Sequence, residues 1–138
     1  MTIKAERQQR LHDVNTLIAI IGSVGRKFFR HGPRMSRLEM DPRQRLWWVD
    51  CWEGTRVYLH SPRSQRRGFS QGGTMWDLIQ RLKRFVQDGT QLHPRVFGPW
   101  PDWSIQDLWG YGDESMELVR AVARQLGITP TVDQQGER

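Results

Sequence analysis

Arginine and tryptophan carry most of the recognisable chemistry in this sequence. Arg63, Arg66 and Arg67 fall within five positions of a Gly-, Ser- and Pro-rich stretch, residues 61–73. A guanidinium fork matches phosphate and carboxylate oxygens two at a time and stacks on rings. That stretch therefore reads as a basic loop. Arg43 and Arg45 sit in or beside a second turn, Asp41-Pro42-Arg43-Gln44, where Pro42 presets φ. Arg37 and Arg56 lie in short alternating runs that also hold Trp48 and Tyr58. Rings interleaved with cations on a sheet face can stack on bases and neutralise phosphates. A third group, Trp100, Trp103 and Trp109, lies in the Gly- and Pro-rich segment 97–111. Large rings of this kind anchor protein partners.

Conventional reaction centres are scarce. The chain has no phosphate-binding Gly-x-x-x-x-Gly-Lys-Ser/Thr loop, no Gly-x-Ser-x-Gly elbow and no His-Glu-x-x-His pair. His12, His31, His60 and His93 are scattered without ligand spacing. Cys51 stands alone, on the side of a strand expected to face the core, where burial raises a thiol pKa. The entry Gly72-Gly73-Thr74 to a helix could hold an anion on free N–H groups, or be an ordinary Thr cap. We expect no enzyme activity, no cofactor and no metal. The alternative enzyme reading is a small phosphate-ligand site at that helix entry.

The elements that must position these groups follow from periodicity. Val14, Leu17, Ile18, Ile21, Val24 and Phe28 recur at helical spacing, which predicts a helix over roughly residues 6–30, stopped by Gly32-Pro33. Three short strands follow, at 36–40, 45–51 and 56–60, joined by tight turns into an antiparallel meander. Alternation divides them into two faces. Leu38, Met40, Trp47, Val49, Cys51, Val57 and Leu59 are assigned to the core. Arg37, Glu39, Leu46, Trp48, Asp50, Arg56, Tyr58 and His60 are assigned to the other face. A second helix runs from Thr74, with Asp77 completing a capping-box variant, to Gly89. A third spans about 114–126, stopped by Gly127 and Pro130. The expected fold is α+β, in the order α-β-β-β-α-loop-α: one domain over 1–128 and a flexible tail over 129–138.

Bulk properties agree with a binding protein. The 138 residues include 18 Arg and 3 Lys against 15 acidic side chains, a net charge of +6. The excess is one-sided: residues 1–67 carry 14 basic and 6 acidic groups, whereas residues 68–138 carry 7 and 9. A one-sided basic excess suits a polyanion or an acidic protein surface. One Cys excludes a disulfide framework. No apolar run reaches the roughly 18 residues that span a membrane, and the N-terminal residues do not read as a secretory signal. A cytoplasmic protein with no membrane partner is expected.

Two resemblances extend this reading. The run Leu46-Trp47-Trp48-Val49, Gly54-Thr55-Arg56-Val57-Tyr58-Leu59 and Thr74-Met75-Trp76-Asp77-Leu78 loosely resembles, over about 45 residues, the three-strand-plus-helix DNA-binding domains of plant AP2 factors and phage integrase arms. This is a likeness of topology. Phe28-Phe29-Arg30-His31-Gly32, Arg67-Gly68-Phe69-Ser70-Gln71-Gly72-Gly73-Thr74, Gly98-Pro99-Trp100-Pro101-Asp102-Trp103 and Asp107-Leu108-Trp109-Gly110-Tyr111-Gly112 are similar to blocks in small proteins of proteobacterial integrative elements, plasmids and prophages. That resemblance spans roughly residues 15–128. It implies an accessory role in transfer, regulation or interference with host defence, as for anti-CRISPR and anti-restriction proteins, which are compact non-enzymatic binders. The expectation is a protein that grips nucleic acid or a nucleoprotein complex such as a CRISPR effector. Arg63, Arg66 and Arg67 would contact phosphates, then Arg43, Arg45, Arg56 and Arg37, with Trp48 and Tyr58 stacking. The alternative is a protein–protein adaptor using Trp100, Trp103 and Trp109.

Overall fold

The Thr2 hydroxyl accepts a hydrogen bond from the Ala5 N–H at 3.0 Å, and this cap starts the first helix, α1, Ile3–Ser23. The computed structural model describes residues 2–24, 29–51, 54, 56–59, 72–97 and 113–130. After α1 come β1 (Arg30–His31), β2 (Arg34–Met35), β3 (Arg37–Met40), β4 (Leu46–Val49) and β5 (Arg56–Tyr58). Then follow α2 (Gly72–Asp88), a 3₁₀ turn (Pro94–Phe97) and α3 (Asp113–Gln125). The class is α+β; the described residues form three α-helices and two small antiparallel sheets, β1-β2 and β3-β4-β5.

The first helix is shorter than its apolar pattern suggests. It stops at Ser23, and Gly32-Pro33 forms the turn of a hairpin in which Arg30 pairs with Met35 and His31 with Arg34. Gly32 adopts φ +60°, the positive value that a tight hairpin turn needs at its first central position. Gly22 in the last turn of α1 lets this hairpin sit close: a Cβ there would come within 2.7 Å of Met35 Sδ. Phe29 leads into the hairpin, is fully buried, and meets Trp48 edge-on with ring centroids 5.6 Å apart.

The other two helices end as their glycines dictate. The Gly89 N–H bonds to the Phe85 carbonyl at 2.8 Å, with φ +80°. Gly127, at φ +76°, closes α3 in a Schellman arrangement: its N–H reaches the Arg124 carbonyl, and the Ile128 N–H reaches the Ala123 carbonyl. Ile128 and Thr129 are buried, so Thr129 belongs to the folded body and not to the expected tail. Residues 131–138 lie outside the described set.

The core joins one side of every major element. Val14, Leu17, Ile18 and Ile21 of α1 meet Leu38, Leu46 and Trp48 of the sheet. Leu78, Ile79, Leu82, Phe85 and Val86 of α2, with Met116, Val119 and Ala123 of α3, complete it. Two polar devices align the layers. Arg10 of α1 donates to the Val86 and Gln87 carbonyls, and Arg7 donates to Gln87. Cations are thus placed at the C-terminal end of α2, where the helix dipole favours them. The Asn15 amide accepts from the Leu38 N–H at 2.8 Å and donates to the Leu38 carbonyl at 2.9 Å.

Candidate functional site

The turn between β3 and β4 fixes which residues share a face. The Gln44 N–H bonds to the Asp41 carbonyl, and the Asp41 N–H to the Arg45 carbonyl. Gln44 takes φ +65°, as the last position of a three-residue hairpin loop with a bulge does. The register then pairs Met40 with Leu46, Leu38 with Trp48 and Glu39 with Trp47. Directly paired residues point to the same side. Leu38, Leu46 and Trp48 therefore form the inner face, and all three are buried to within 1%.

This corrects the sequence-based assignment of β4, which had Trp47 inside and Trp48 outside. Trp48 is 0% exposed and packs on Phe29, so it is not a stacking platform for a ligand. Leu46 is likewise core. Trp47 takes the outer position, in the same face as Arg37, Glu39, Val49 and Arg56. The signal was in the sequence. Leu38 and Met40 were both placed inside, and a turn closed by Asp41 and Arg45 carries that parity to Leu46 and Trp48.

The outer face is a connected set of rings and charges. The Arg56 guanidinium carbon lies 4.5 Å from the Trp47 ring centroid, a cation–π contact. Arg56 Nε also lies 3.3 Å from Glu39 Oε1, while Arg37 Nη2 sits 2.6 Å from Glu39 Oε2. Arg37 and Arg56 are half exposed at the side chain. At the turn end, Trp47 Nε1 donates to Asp41 Oδ2 at 3.0 Å. Asp41 also accepts from the Arg43 N–H, the Arg45 N–H and Arg45 Nε. Burial opposes the charge on Asp41, yet the bonds from Trp47 and Arg45 and the nearby guanidinium hold it well below the usual carboxylate range. Three guanidinium groups, those of Arg37, Arg56 and Arg45, thus share two carboxylates here, which leaves the face net positive.

The remaining sequence candidates divide clearly. Arg37, Arg43, Arg45 and Arg56 are brought to one face and its turn. Tyr58 pairs in register with Trp47, and its side chain lies outside the described set. Arg63, Arg66 and Arg67 also lie outside it, as do Trp100, Trp103 and Trp109. Sequence reasoning missed Glu39, Asp41 and Trp47 as the groups that organise the face.

Other reactive groups serve the fold. Cys51 is buried, its N–H donates to Ser36 Oγ at 2.9 Å, and burial pushes its thiol up. Lys83 of α2 donates to the Leu59 carbonyl at 3.2 Å, and burial, then Arg84, pushes its ammonium down. Among the described residues no three His, Cys, Asp or Glu side chains converge as metal ligands would. No described helix is long and apolar enough to cross a membrane.

Comparison with known proteins gives a consistent result. A family model, YoqU, matches residues 4–136. The chain is 28% identical over 129 residues to the SPbeta prophage-derived uncharacterized protein YoqU of Bacillus subtilis (strain 168), covering 93% of this chain and 88% of that protein. No solved structure matches. The expected link to mobile elements thus stands at the level of a prophage-derived relative. On the family match, which spans nearly the whole length, the chain belongs to the YoqU family.

Proposed function

We propose that this protein is a non-enzymatic prophage accessory protein that binds nucleic acid, alone or within a nucleoprotein complex, and so occupies a surface that a host defence system uses. The observation behind this reading is the outer face of β3-β4-β5, where Arg37, Arg56, Arg43 and Arg45 gather around Trp47 and its turn. Guanidinium groups held by shared carboxylates are pre-oriented, which lowers the entropy lost when a phosphate replaces a carboxylate. Arg63, Arg66 and Arg67 extend the same chemistry in the sequence that follows β5.

Fluorescence anisotropy with labelled single-stranded DNA, single-stranded RNA and duplex DNA tests the reading. Binding should weaken steeply between low and physiological salt, with a log–log slope of about −0.7 to −0.9 per phosphate contacted. Arg37→Gln and Arg56→Gln should each reduce that slope by roughly one contact. Arg63, Arg66 and Arg67 replaced together by Glu should abolish binding without unfolding. No binding to any of the three polymers, or an affinity indifferent to salt, would overturn the proposal.

A further inference from the structure

On the outer sheet face Arg56 lies over Trp47. Arg56 comes from β5, and its guanidinium carbon is 4.5 Å from the centroid of the indole ring. The ring is anchored from the turn, by the bond from its Nε1 to Asp41 Oδ2 at 3.0 Å. The guanidinium is anchored from β3, by the ion pair of its Nε with Glu39 Oε1 at 3.3 Å. One side of the guanidinium is thus taken by the indole, yet half of the Arg56 side chain reaches solvent. Its solvent-facing surface is that of the opposite plane and the outer edge. Ion pairing engages the edge of a guanidinium, where the N–H groups point, and leaves its plane available for stacking. Arg56 therefore presents a flat cationic surface whose position two neighbours fix.

Resting on the nucleic-acid reading of this face, we propose that the Arg56 plane, backed by Trp47, seats one unpaired base, so that the face takes single-stranded nucleic acid in preference to duplex. Bases stack on aromatic rings and on guanidinium planes alike. Every base offers such a plane, so the seat needs no particular sequence. A base inside a duplex has both planes covered by its neighbours, and exposing one costs unstacking energy. Charge balance points the same way. Three guanidinium groups against two carboxylates leave the connected set one net positive charge. One charge neutralises few phosphates, so the phosphate attraction that dominates duplex binding is small on this face. Stacking is what the face offers instead. Its parts are in place before the ligand arrives, which keeps the ordering cost of binding low.

Fluorescence anisotropy on the full chain tests this with labelled probes of equal length: a single-stranded DNA, an RNA of the same sequence, the DNA annealed to its complement, and an abasic strand that keeps every phosphate and lacks the bases. The single strands should bind about tenfold more tightly than the duplex and the abasic strand, the worth of one base stack. DNA and RNA carry the same base plane, so the tighter of the two identifies which polymer supplies it. Arg56→Lys keeps the charge and loses the plane. It should lose the preference for single strands over the abasic strand while its salt slope stays that of the parent, and Arg37→Lys should keep the preference. Arg56 is exposed, and circular dichroism checks that the variant folds; the abasic comparison needs no variant. A duplex or an abasic strand that binds as tightly as the single strands overturns the proposal and leaves the nucleic-acid reading in place, as does a preference undiminished in Arg56→Lys. Failure of every probe to bind removes both.

Discussion

Trp47 and Trp48 are neighbours in the chain and live in different worlds. Trp48 is sealed against Phe29 and the helices, with no exposed surface. Trp47 lies on the opposite side of the same strand, tied to Asp41 through its indole N–H and covered by Arg56. The inner face is held by close packing, the outer by charge pairs around a ring. The difference teaches that composition cannot assign a face when both residues of a pair are apolar. Only the phase imposed by the preceding turn decides, because a one-residue shift sends every side chain of the strand to the other side.

Substitution can test that contrast directly. Trp48→Ala should cost about 3–5 kcal/mol in chemical denaturation, because it removes a large fully buried ring. Trp47→Ala should cost only about 1–2 kcal/mol, the worth of an exposed cation–π contact and one hydrogen bond to a carboxylate. Equal losses would erase the distinction between the faces. Between these falls Asn15→Ala, at about 2 kcal/mol, since it strands the N–H and carbonyl of Leu38 near the core. Its amide exchange at Leu38 should quicken, while that at Val49 should not.

The smallest effect is a pH dependence confined to the outer face. The Asp41 carboxyl titrates lower in the folded chain than in the unfolded one. Its contribution is therefore complete above the unfolded carboxyl value of about 3.9 and disappears as pH falls through the folded value. Asp88, bonded to Thr90, and Glu117, bonded to Arg120, are depressed as well. They remain in Asp41→Asn, so the variant isolates one group. Its melting temperature should fall less than that of the parent between pH 5 and pH 3, by calorimetry. A parallel fall in both proteins would show that Asp41 does not hold the turn through its charge.

What the sequence revealed tracks how local each cause is. The ends of α2 and α3 were legible, because Gly89 and Gly127 act on their own few neighbours. The three-stranded meander was legible from its turns. The β1-β2 hairpin was not, since the helical pattern of α1 runs on through Val24 and Phe28 and masks it. The work of Arg7 and Arg10 was equally hidden: nothing near them announces that their partners are carbonyls some 76–80 positions later. Part of the arginine excess is thus spent on the fold, as Arg120 on the Phe97 carbonyl also shows. The outer face is half legible: alternation puts Arg37 and Arg56 on it, as the strand register does, but exchanges the ring between them for its neighbour.

The Asn15 contact with Leu38 carries a consequence for the protein at high concentration. β3 is an edge of its sheet, and a bare edge is a template on which another extended chain can lengthen the sheet. A side-chain amide offers one donor and one acceptor, the same pair that a neighbouring strand would present. Asn15 therefore acts as a single-residue surrogate strand. Any peptide, or second copy, that would extend the sheet at Leu38 must first displace an anchor rooted in the longest helix, which steers the molecule away from edge-to-edge aggregation.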